Sequence, residues 1–307
     1  MTALAQDLKV GFIGLGNMGG PMTRNLVAAG FPLTVRDAND DLQARIAGEL
    51  GASAAATPAD FAEIDVVVTM LPDDRVVSAA LLDWGVADAL RPGAIVVDMS
   101  SSNPNGTIEL GRGLAERGVG LVDAPVSGGI ARAETGTLAI MAGTNDPALL
   151  ERVRPVLEVL GGQIFATGPL GSGHAMKALN NFVGATTYLV TVEALVIGGE
   201  YGLTPSTMVD VFNASTARSF NSEIVVKDHV ITGEYATRFA LGLITKDVGI
   251  AANLAEASGV DAPMAKISSE RWSRSLAALD FATDHSEAHK GLWAKDLVDP
   301  TARGGAS

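Results

Sequence analysis

The sequence predicts an α/β domain with a doubly wound sheet over residues 1–169, followed by an all-helical domain over residues 170–302. Short apolar runs alternate with helical patterns as far as residue 168, an order typical of parallel strands joined by helices. Two of these runs, DVVVTM and AIVVDM, are apolar throughout, as expected for strands covered on both faces. After Gly168-Pro169 the strand patterns stop, and 307 residues leave room for a second core.

The elements of the first domain follow from the periodicity of its apolar residues. The helical patterns are Met18–Ala29, Asp74–Leu82, Asn105–Arg117 and Pro147–Leu160. The candidate strands are Lys9–Gly14, Leu33–Asp37, Asp65–Met70, Ala94–Met99, Leu121–Ala124, Leu138–Ala142 and Gln163–Thr167. This alternation predicts a parallel sheet with right-handed crossovers.

The second domain should consist of helices that break at Gly202–Pro205, Gly233 and Gly259–Pro263. The stretch Leu179–Gly199 is apolar enough to raise the question of a membrane span. It contains Asn180, Asn181 and Glu193, however, and these side chains are costly in lipid. We therefore expect a helix that is buried inside protein.

Composition narrows the range of functions. The net charge of −13 without a basic cluster disfavours nucleic acid and anionic membranes as partners. The absence of cysteine excludes disulfides and thiol catalysis. His285 and His289 could share a helix face, but no third ligand stands near them, so we expect a solvated pair and no metal. Met1–Leu8 lacks the pattern of a signal peptide, which favours a soluble, cytoplasmic protein.

The segment KVGFIGLGNMGG combines a strand, a glycine turn and the start of a helix. Its Gly14-x-Gly16-x-x-Gly19 spacing is weak alone, but this context makes it typical of a Rossmann-like dinucleotide site. Gly14 permits the tight turn, Gly16 lets the backbone approach a pyrophosphate, and Gly19 lets helix and strand pack closely. Asn17 and Met18 belong to the same loop, and the helix N-terminus favours an anion.

The strand LTVRD ends at Asp37, about twenty residues beyond the glycines. A carboxylate there accepts hydrogen bonds from both ribose hydroxyls and repels a 2′-phosphate, which favours NAD over NADP. Arg36 complicates this interpretation, because a guanidinium could serve a phosphate instead. Successive strand residues point to opposite faces, so one of the two should face the ribose, and we expect Asp37.

Two further segments carry the chemistry expected of an active site. The first, DAPVSGG, closes an apolar strand, and Ser127, Gly128 and Gly129 offer a hydroxyl and open backbone N–H groups to a carboxylate. The second, GSGHAMKALNN, places Lys177 and Asn181 four residues apart, on one side of a helix. A lysine in an apolar helix at a domain junction is costly without a purpose, and it can exchange a proton with a substrate oxygen.

Together the motifs resemble the β-hydroxyacid dehydrogenase family, the group of 3-hydroxyisobutyrate dehydrogenase and tartronate semialdehyde reductase. The resemblance runs over nearly the whole chain. The segments that carry it are GFIGLGNMGGPMTRNL, MLPDD, VVDMSSSNP, DAPVSGG with GTLAIMAG, GSGHAMKALNN and FALGLITKD.

The resemblance implies roles for particular residues. Leu71 and Pro72 would line the cofactor, and Ser101 would lie near the nicotinamide. Lys177 would be the general acid/base and Asn181 its positioning partner. Lys246 of the TKD segment would close over cofactor and substrate, and Ser127, Gly128 and Gly129 would hold the carboxylate. The resemblance also implies a long interdomain helix and a homodimer or homotetramer.

One departure from the family pattern concerns the substrate. Arg132 stands where many relatives have glycine, and in the cleft it would favour extra hydroxyls or a second anion. An ion pair between Arg132 and Glu134 at the surface is an equally good interpretation. The segment NASTARSFNSE resembles a polar loop that relatives lay over the substrate, which makes Arg218, Ser219 and Asn221 candidates to contact its far end.

The expected function is the reversible oxidation of a small β-hydroxy acid to its semialdehyde with NAD, with NADP left open. The scaffold would equally serve a tartronate semialdehyde reductase, a threonate-like aldonate dehydrogenase or a 4-hydroxybutyrate dehydrogenase. An imine reductase and a non-catalytic cofactor-binding protein are alternatives from other classes. Both generally lack the lysine found here at position 177.

Overall fold

The structure is a computed structural model that describes residues 8–293, 295–300 and 302. The chain divides into two compact units, Met1–Lys177 and Ala178–Ser307. This division falls inside the long helix Ser172–Glu200, a few residues beyond position 170, where the sequence predicts the domain boundary.

The first unit is built on a nine-stranded sheet in the order β3-β2-β1-β4-β5-β6-β8-β7, with β9 beside β8. Its strands are β1 Val10–Ile13, β2 Leu33–Arg36, β3 Ser53–Ala54, β4 Val66–Thr69, β5 Ile95–Asp98, β6 Gly120–Asp123, β7 Val126–Ser127, β8 Leu138–Gly143 and β9 Gly161–Gly168. The pairs from β3 to β6 are parallel, as predicted. The prediction is wrong at β8, which pairs antiparallel with β6 and β7, because the chain reverses over the short helical segment between β7 and β8.

Seven α-helices surround this sheet in the described part of the first unit, besides the start of the long helix. They are α1 Gly19–Ala28, α2 Asp40–Leu50, α3 Asp74–Ser78, α4 Val86–Ala89, α5 Pro104–Ala115, α6 Gly129–Thr135 and α7 Pro147–Leu160. Side-chain caps explain several starts: Asn39, Asp73, Asn103 and Asp146 each accept a backbone N–H of the following turn. A π-helical turn, Ala79–Asp83, continues α3, and Pro58–Phe61 forms a 3-10 turn.

Apolar cores lie on both faces of the sheet. Along β4, Val66 and Val68 belong to one core while Val67 belongs to the other. Along β5, Ile95 and Val97 likewise face away from Val96. Because side chains alternate along a strand, covering both faces requires apolar residues at every position. This explains the unbroken apolar runs in the sequence.

The second unit is helical in its described residues, where the β-structure is an isolated bridge between Ala240 and Asp284. Its helices are α8 Ser172–Glu200, α9 Pro205–Ala214, the π-helical segment Asn221–Val230, α10 Leu241–Ser258, α11 Pro263–Ala278, a 3-10 turn His285–Glu287 and α12 Ala288–Trp293. The predicted breaks are confirmed: Thr204 caps α9, and Gly259 ends α10 in the left-handed conformation.

Helix α8 is long and apolar enough to span a membrane by length and composition, a test that core helices of soluble proteins also pass. One face packs through Ala185, Tyr188 and Val192 into the core of the second unit. Another face, with Val183 and Ile197, is exposed in the single chain. The expectation of a helix buried in protein is therefore correct for one face.

Candidate active site

The glycine turn after β1 has the geometry that a bound pyrophosphate needs. Gly14 has a φ of +100°, and a Cβ there would overlap the carbonyl oxygen of Met70. A Cβ at Gly19 would overlap the carbonyl of Gly14 itself, so α1 can start this close to β1 only with glycine. A Cβ at Gly16 would meet nothing within 4 Å, and this glycine is exposed. Gly14 and Gly19 thus serve the fold, whereas Gly16 leaves open space beside the backbone.

The first residues of α1 face this open space. Asn17 is exposed, and Met18 is half-buried against the core. Met18 occupies the N-cap position without a side-chain hydrogen bond to the first turn. An uncapped helix start leaves backbone N–H groups available to an anion.

Asp37 and Arg36, at the end of β2, make different contacts. The Asp37 carboxylate accepts hydrogen bonds from Leu15 N at 2.7 Å and Asn39 N at 2.8 Å, which fixes it beside the glycine turn. The Arg36 guanidinium donates to Asp40 and Gln43, both at 2.8 Å. It also lies 5.0 Å from the centre of the Trp84 ring. Arg36 is therefore engaged in structural contacts.

The carboxyl ends of β4 and β5 lie side by side, because these strands are parallel neighbours. Leu71 follows β4 and donates its N–H to Ser100 Oγ at 2.9 Å, and exposed Pro72 comes next. Ser101 follows Ser100 and is half-buried. Leu71, Pro72 and Ser101 thus stand at the sheet edge where ligands bind in open α/β folds.

The segment after β6 forms the other side of this edge. Ser127 ends β7, and the exposed Gly128 and Gly129 have φ angles of +134° and +67°, so their backbone conformation requires glycine. Arg132 lies on α6, and its aliphatic stem packs over Gly128. In the described part of the chain Arg132 makes no ion pair with Glu134, which leaves its exposed guanidinium available to an anion.

The start of α8 carries the predicted catalytic pair. Half-buried Lys177 and buried Asn181 are one helical turn apart and project to the same side. Asn181 Nδ2 donates to Asp247 Oδ2 at 2.6 Å, and Lys246 Nζ lies 3.3 Å from Asp247 Oδ1. Buried Asp247 therefore holds both Asn181 and Lys246. Sequence reasoning missed it, although it stands in the quoted TKD segment.

Two interpretations of polar residues in the second unit need correction. Asn221 is buried, and its amide donates to Gly184 O and Thr187 Oγ1, so this side chain is used within the unit. Arg218 pairs with Glu223 at 2.6 Å, and Ser219 Oγ accepts the Ser222 N–H at 3.1 Å. These three side chains are thus occupied by local contacts, and the prediction that Asn221 reads a substrate is wrong.

The solvated histidine pair is also wrong. His289 is fully buried, and its Nδ1 lies 3.2 Å from both Tyr188 Oη and Ser286 O. Burial lowers the pKa of His289 to about 4, and burial also lowers the pKa of His285. Both rings belong to the packing of the second unit. Among the described residues, no group of three or more acidic or histidine side chains is arranged to hold a metal.

Comparison with known proteins agrees with this geometry. Residues 9–168 match the family described as the NAD binding domain of 6-phosphogluconate dehydrogenase. Residues 171–292 match the family described as NAD-binding of NADP-dependent 3-hydroxyisobutyrate dehydrogenase. The open backbone at Gly16 and the acid at Asp37 fit such a dinucleotide. The chain is a nicotinamide-dependent oxidoreductase.

Relatives define the family more closely. The 2-(hydroxymethyl)glutarate dehydrogenase of Eubacterium barkeri is 36% identical, over 87% of this chain and 89% of the relative. The NAD-dependent L-serine dehydrogenase of Pseudomonas aeruginosa is 35% identical, over 95% and 98%. A Mycobacterium tuberculosis 3-hydroxyisobutyrate dehydrogenase structure with L-serine superposes with a TM-score of 0.85 at 32% identity, covering 93% of this chain and 99% of that chain. The chain belongs to the β-hydroxyacid dehydrogenase family, whose enzymes act on CH–OH groups.

Proposed function

We propose that the protein interconverts a small β-hydroxy acid and its semialdehyde with NAD, using Lys177 as general acid/base. The observation that carries this proposal is the arrangement on α8, where Lys177 stands one turn before an asparagine that Asp247 fixes at 2.6 Å. An amide held in this way can position the lysine amine toward a substrate oxygen. An imine reductase or a non-catalytic binding protein would not need this pair.

A dinucleotide held by Gly16 and Asp37 would supply the acceptor for the hydride of the substrate's carbinol carbon. In the oxidative direction the neutral Lys177 amine removes the hydroxyl proton, and in the reductive direction its ammonium returns that proton. Ser127 and the open backbone at Gly128 and Gly129 hold the carboxylate so that the carbon lies within reach. Lys246 adds a positive charge, and its contact with Asp247 restrains it. Because the oxidative step needs neutral lysine, its rate should rise with pH.

The preference for NAD rests on Asp37. Its carboxylate is fixed beside the glycine turn by the Leu15 N–H, where it can accept both ribose hydroxyls. Arg36, the residue that could instead favour a 2′-phosphate, is engaged by Asp40, Gln43 and Trp84. The local charge around the ribose therefore disfavours NADP.

Arg132 favours a second candidate within the same reaction class, a substrate that bears another anionic or hydroxylated group. Its stem packs over Gly128, so the guanidinium is attached beside the proposed carboxylate loop. A relative that is 36% identical is named for 2-(hydroxymethyl)glutarate, a β-hydroxy acid with two carboxylates. Tartronate semialdehyde, threonate and 4-hydroxybutyrate differ from 3-hydroxyisobutyrate by similarly small changes.

We also propose that the protein is a soluble, cytoplasmic homodimer or homotetramer. Leu179, Val183, Val190 and Ile197 recur at intervals of four and seven residues along α8, and 44% to 59% of each is exposed. This spacing places them on one face of the helix. An apolar stripe of this kind is typical of a surface that packs against another helix.

A substrate panel tests the proposed function. The purified protein is assayed by absorbance for reduction of NAD and NADP with 3-hydroxyisobutyrate, 3-hydroxypropionate, 4-hydroxybutyrate, glycerate, threonate, serine and 2-(hydroxymethyl)glutarate. We expect NAD-linked oxidation of at least one of them. Preference for a dicarboxylate or polyhydroxylated acid that is lost in Arg132→Ala would assign that residue to the substrate. Silence with both cofactors across the panel would overturn the proposal.

A further inference from the structure

His174 is a buried ionisable side chain that the proposed reaction does not use. It stands in the first turn of α8, three residues before Lys177, and is 1% exposed. Residues three apart on a helix are neighbours on its surface. Whatever fixes His174 therefore also restrains the backbone that carries Lys177.

The surroundings of His174 are two buried carboxylates. Asp98 and Asp123 are register partners at the carboxyl ends of β5 and β6. The imidazole Nε2 lies 3.6 Å from Asp98 Oδ2, and Nδ1 lies 3.8 Å from Asp123 Oδ2. Nδ1 also hydrogen-bonds Thr107 Oγ1 at 2.8 Å. Within the described residues Nε2 has no hydrogen-bond partner, and its 3.6 Å contact with Asp98 is longer than a hydrogen bond.

Each carboxylate is held by further contacts. Asp123 accepts the backbone N–H groups of Gly171 and His174, both at 2.8 Å, and so caps the start of α8 from the sheet. Asp98 accepts Thr69 Oγ1 at 2.8 Å, Ser100 N at 3.0 Å and Ser102 Oγ at 2.9 Å.

Electrostatics explains why an imidazole occupies this position. Two carboxylates on adjacent buried strands repel each other, and burial raises the pKa of Asp123. The imidazole of His174 lies within 4 Å of both carboxylates. His174 opposes this rise in the pKa of Asp123, and its backbone belongs to α8.

The same cluster reaches the predicted cofactor loops. Ser100, whose N–H binds Asp98, accepts the Leu71 N–H through its hydroxyl at 2.9 Å. Asp98 is therefore connected on one side to the loop of Leu71 and Pro72 and on the other to the first turn of α8. Any shift of α8 relative to these loops would alter the distance between Lys177 and the reacting atoms.

We propose that His174 is a positioning residue, which aligns Lys177 with the cofactor loops by bridging Asp98 at the end of β5 to the first turn of α8. This inference rests on the proposed function of Lys177. The contact that carries it is the one between Nε2 and Asp98, since Nδ1 is already engaged by Thr107. The bridge should affect turnover more than substrate or cofactor binding.

Two conservative variants test the contacts of the two ring nitrogens of His174 separately. His174→Asn keeps a polar atom near Nδ1 and removes Nε2, whereas His174→Gln can reach the position of Nε2 and donate to Asp98. We expect His174→Asn to lower kcat by about tenfold or more with KM for NAD within about twofold, because small misplacements are costly to rate. We expect His174→Gln to recover most of that kcat. Ser102→Ala serves as the control, since Ser102 also binds Asp98 Oδ2 but lies outside α8.

Three results would overturn the inference. They are an unchanged kcat in His174→Asn, an equal loss in the Asn and Gln variants, and a loss in Ser102→Ala as large as in His174→Asn.

Hydrogen exchange of the peptide spanning residues 171–180 supplies a readout that is independent of turnover. It should be faster in His174→Asn than in wild type, and equal rates would contradict the bridge. A wild-type protein that oxidises no hydroxy acid would overturn the proposed function, while the exchange rates would still decide whether His174 anchors α8.

Discussion

At the end of β2, two neighbouring residues of opposite charge have different hydrogen-bond partners. Asp37 and Arg36 adjoin in sequence, yet Asp37 binds the backbone of the glycine turn while Arg36 binds Asp40 and Gln43. Alternation along the strand separates the two side chains. The sequence leaves Asp37 and Arg36 as the two candidates to contact the ribose, and the hydrogen bonds favour Asp37.

Asp37→Ala should therefore weaken NAD use and reduce the discrimination against NADP. Loss of hydrogen bonds to a charged acceptor is worth about 1.5–3 kcal/mol, which corresponds to about a 10- to 150-fold rise in KM for NAD. Steady-state kinetics with both cofactors measures this change. Arg36→Leu is the control and should leave the NAD-to-NADP ratio near that of wild type. A ratio that collapses in Arg36→Leu but not in Asp37→Ala would contradict the assignment.

The glycines of the turn differ in what an added methyl group would meet. Gly16→Ala should fold normally, because its Cβ would enter open space, but should raise KM for NAD by about tenfold or more through a clash with the pyrophosphate. Gly19→Ala should instead lower the free energy of unfolding by about 1–3 kcal/mol, because its Cβ overlaps the carbonyl of Gly14.

Urea unfolding and NAD titration distinguish these two effects. Gly48→Ala in α2 is the matched control, since a Cβ there meets nothing within 4 Å and alanine favours a helix. It should be neutral or slightly stabilising. A Gly16→Ala protein that binds NAD normally would argue against a pyrophosphate at this turn.

At the scale of elements, a helix or strand can be predicted from the sequence when its pattern of apolar residues is long enough to show a period. The predicted helix Pro147–Leu160 matches α7 at both ends, because Asp146 and Pro147 define its start. Strands β3 and β7 have two residues each, too few to show a period. The π-helical segment Asn221–Val230 also lacks a recognisable period, and its first three residues fall in the segment that resembles a polar loop.

The residues of the candidate site also differ in whether the sequence can predict them. Gly14, Asp37 and Lys177 follow from local motifs, since each stands at a fixed position relative to a strand or helix end. The partners of the proposed catalytic residues could not be predicted, because Asp247 lies 66 positions beyond Asn181. A contact across such a distance depends on tertiary packing.

The turn His285–Glu287 and α12 make the stability of the second unit dependent on pH. Burial lowers the pKa of His289 to about 4 from its ordinary value of 6.5. A depressed pKa favours the folded state above 6.5, and this contribution is lost as pH falls from 6.5 through about 4. The difference corresponds to about 3 kcal/mol, at about 1.4 kcal/mol per pH unit.

Urea unfolding between pH 7 and pH 4 tests this contribution. Wild type should lose more of its free energy of unfolding over this range than His289→Gln, by up to about 3 kcal/mol. Acidic groups that titrate in both proteins cancel in the comparison. Parallel curves for the two proteins would show that His289 does not titrate differently on unfolding.

At the scale of the whole molecule, the exposed stripe on α8 predicts self-association. Val183→Asp should shift the protein toward monomer in light scattering coupled to size exclusion, because it places a charge in an apolar contact. Val260→Asp is the matched control, since Val260 is equally exposed at 60% but lies outside the stripe. A Val183→Asp protein with the same mass as wild type would remove the stripe from the interface.

The most direct test of the central claim compares NAD reduction by wild type and Lys177→Ala with the best hydroxy acid of the panel, alongside NAD binding by calorimetry. We expect Lys177→Ala to lose at least about 10²- to 10⁴-fold in kcat, the usual contribution of a general base, while it binds NAD as wild type does. Wild-type kcat for oxidation should rise with pH. Retained turnover in Lys177→Ala would contradict the account, because the proton would then have to leave through another group.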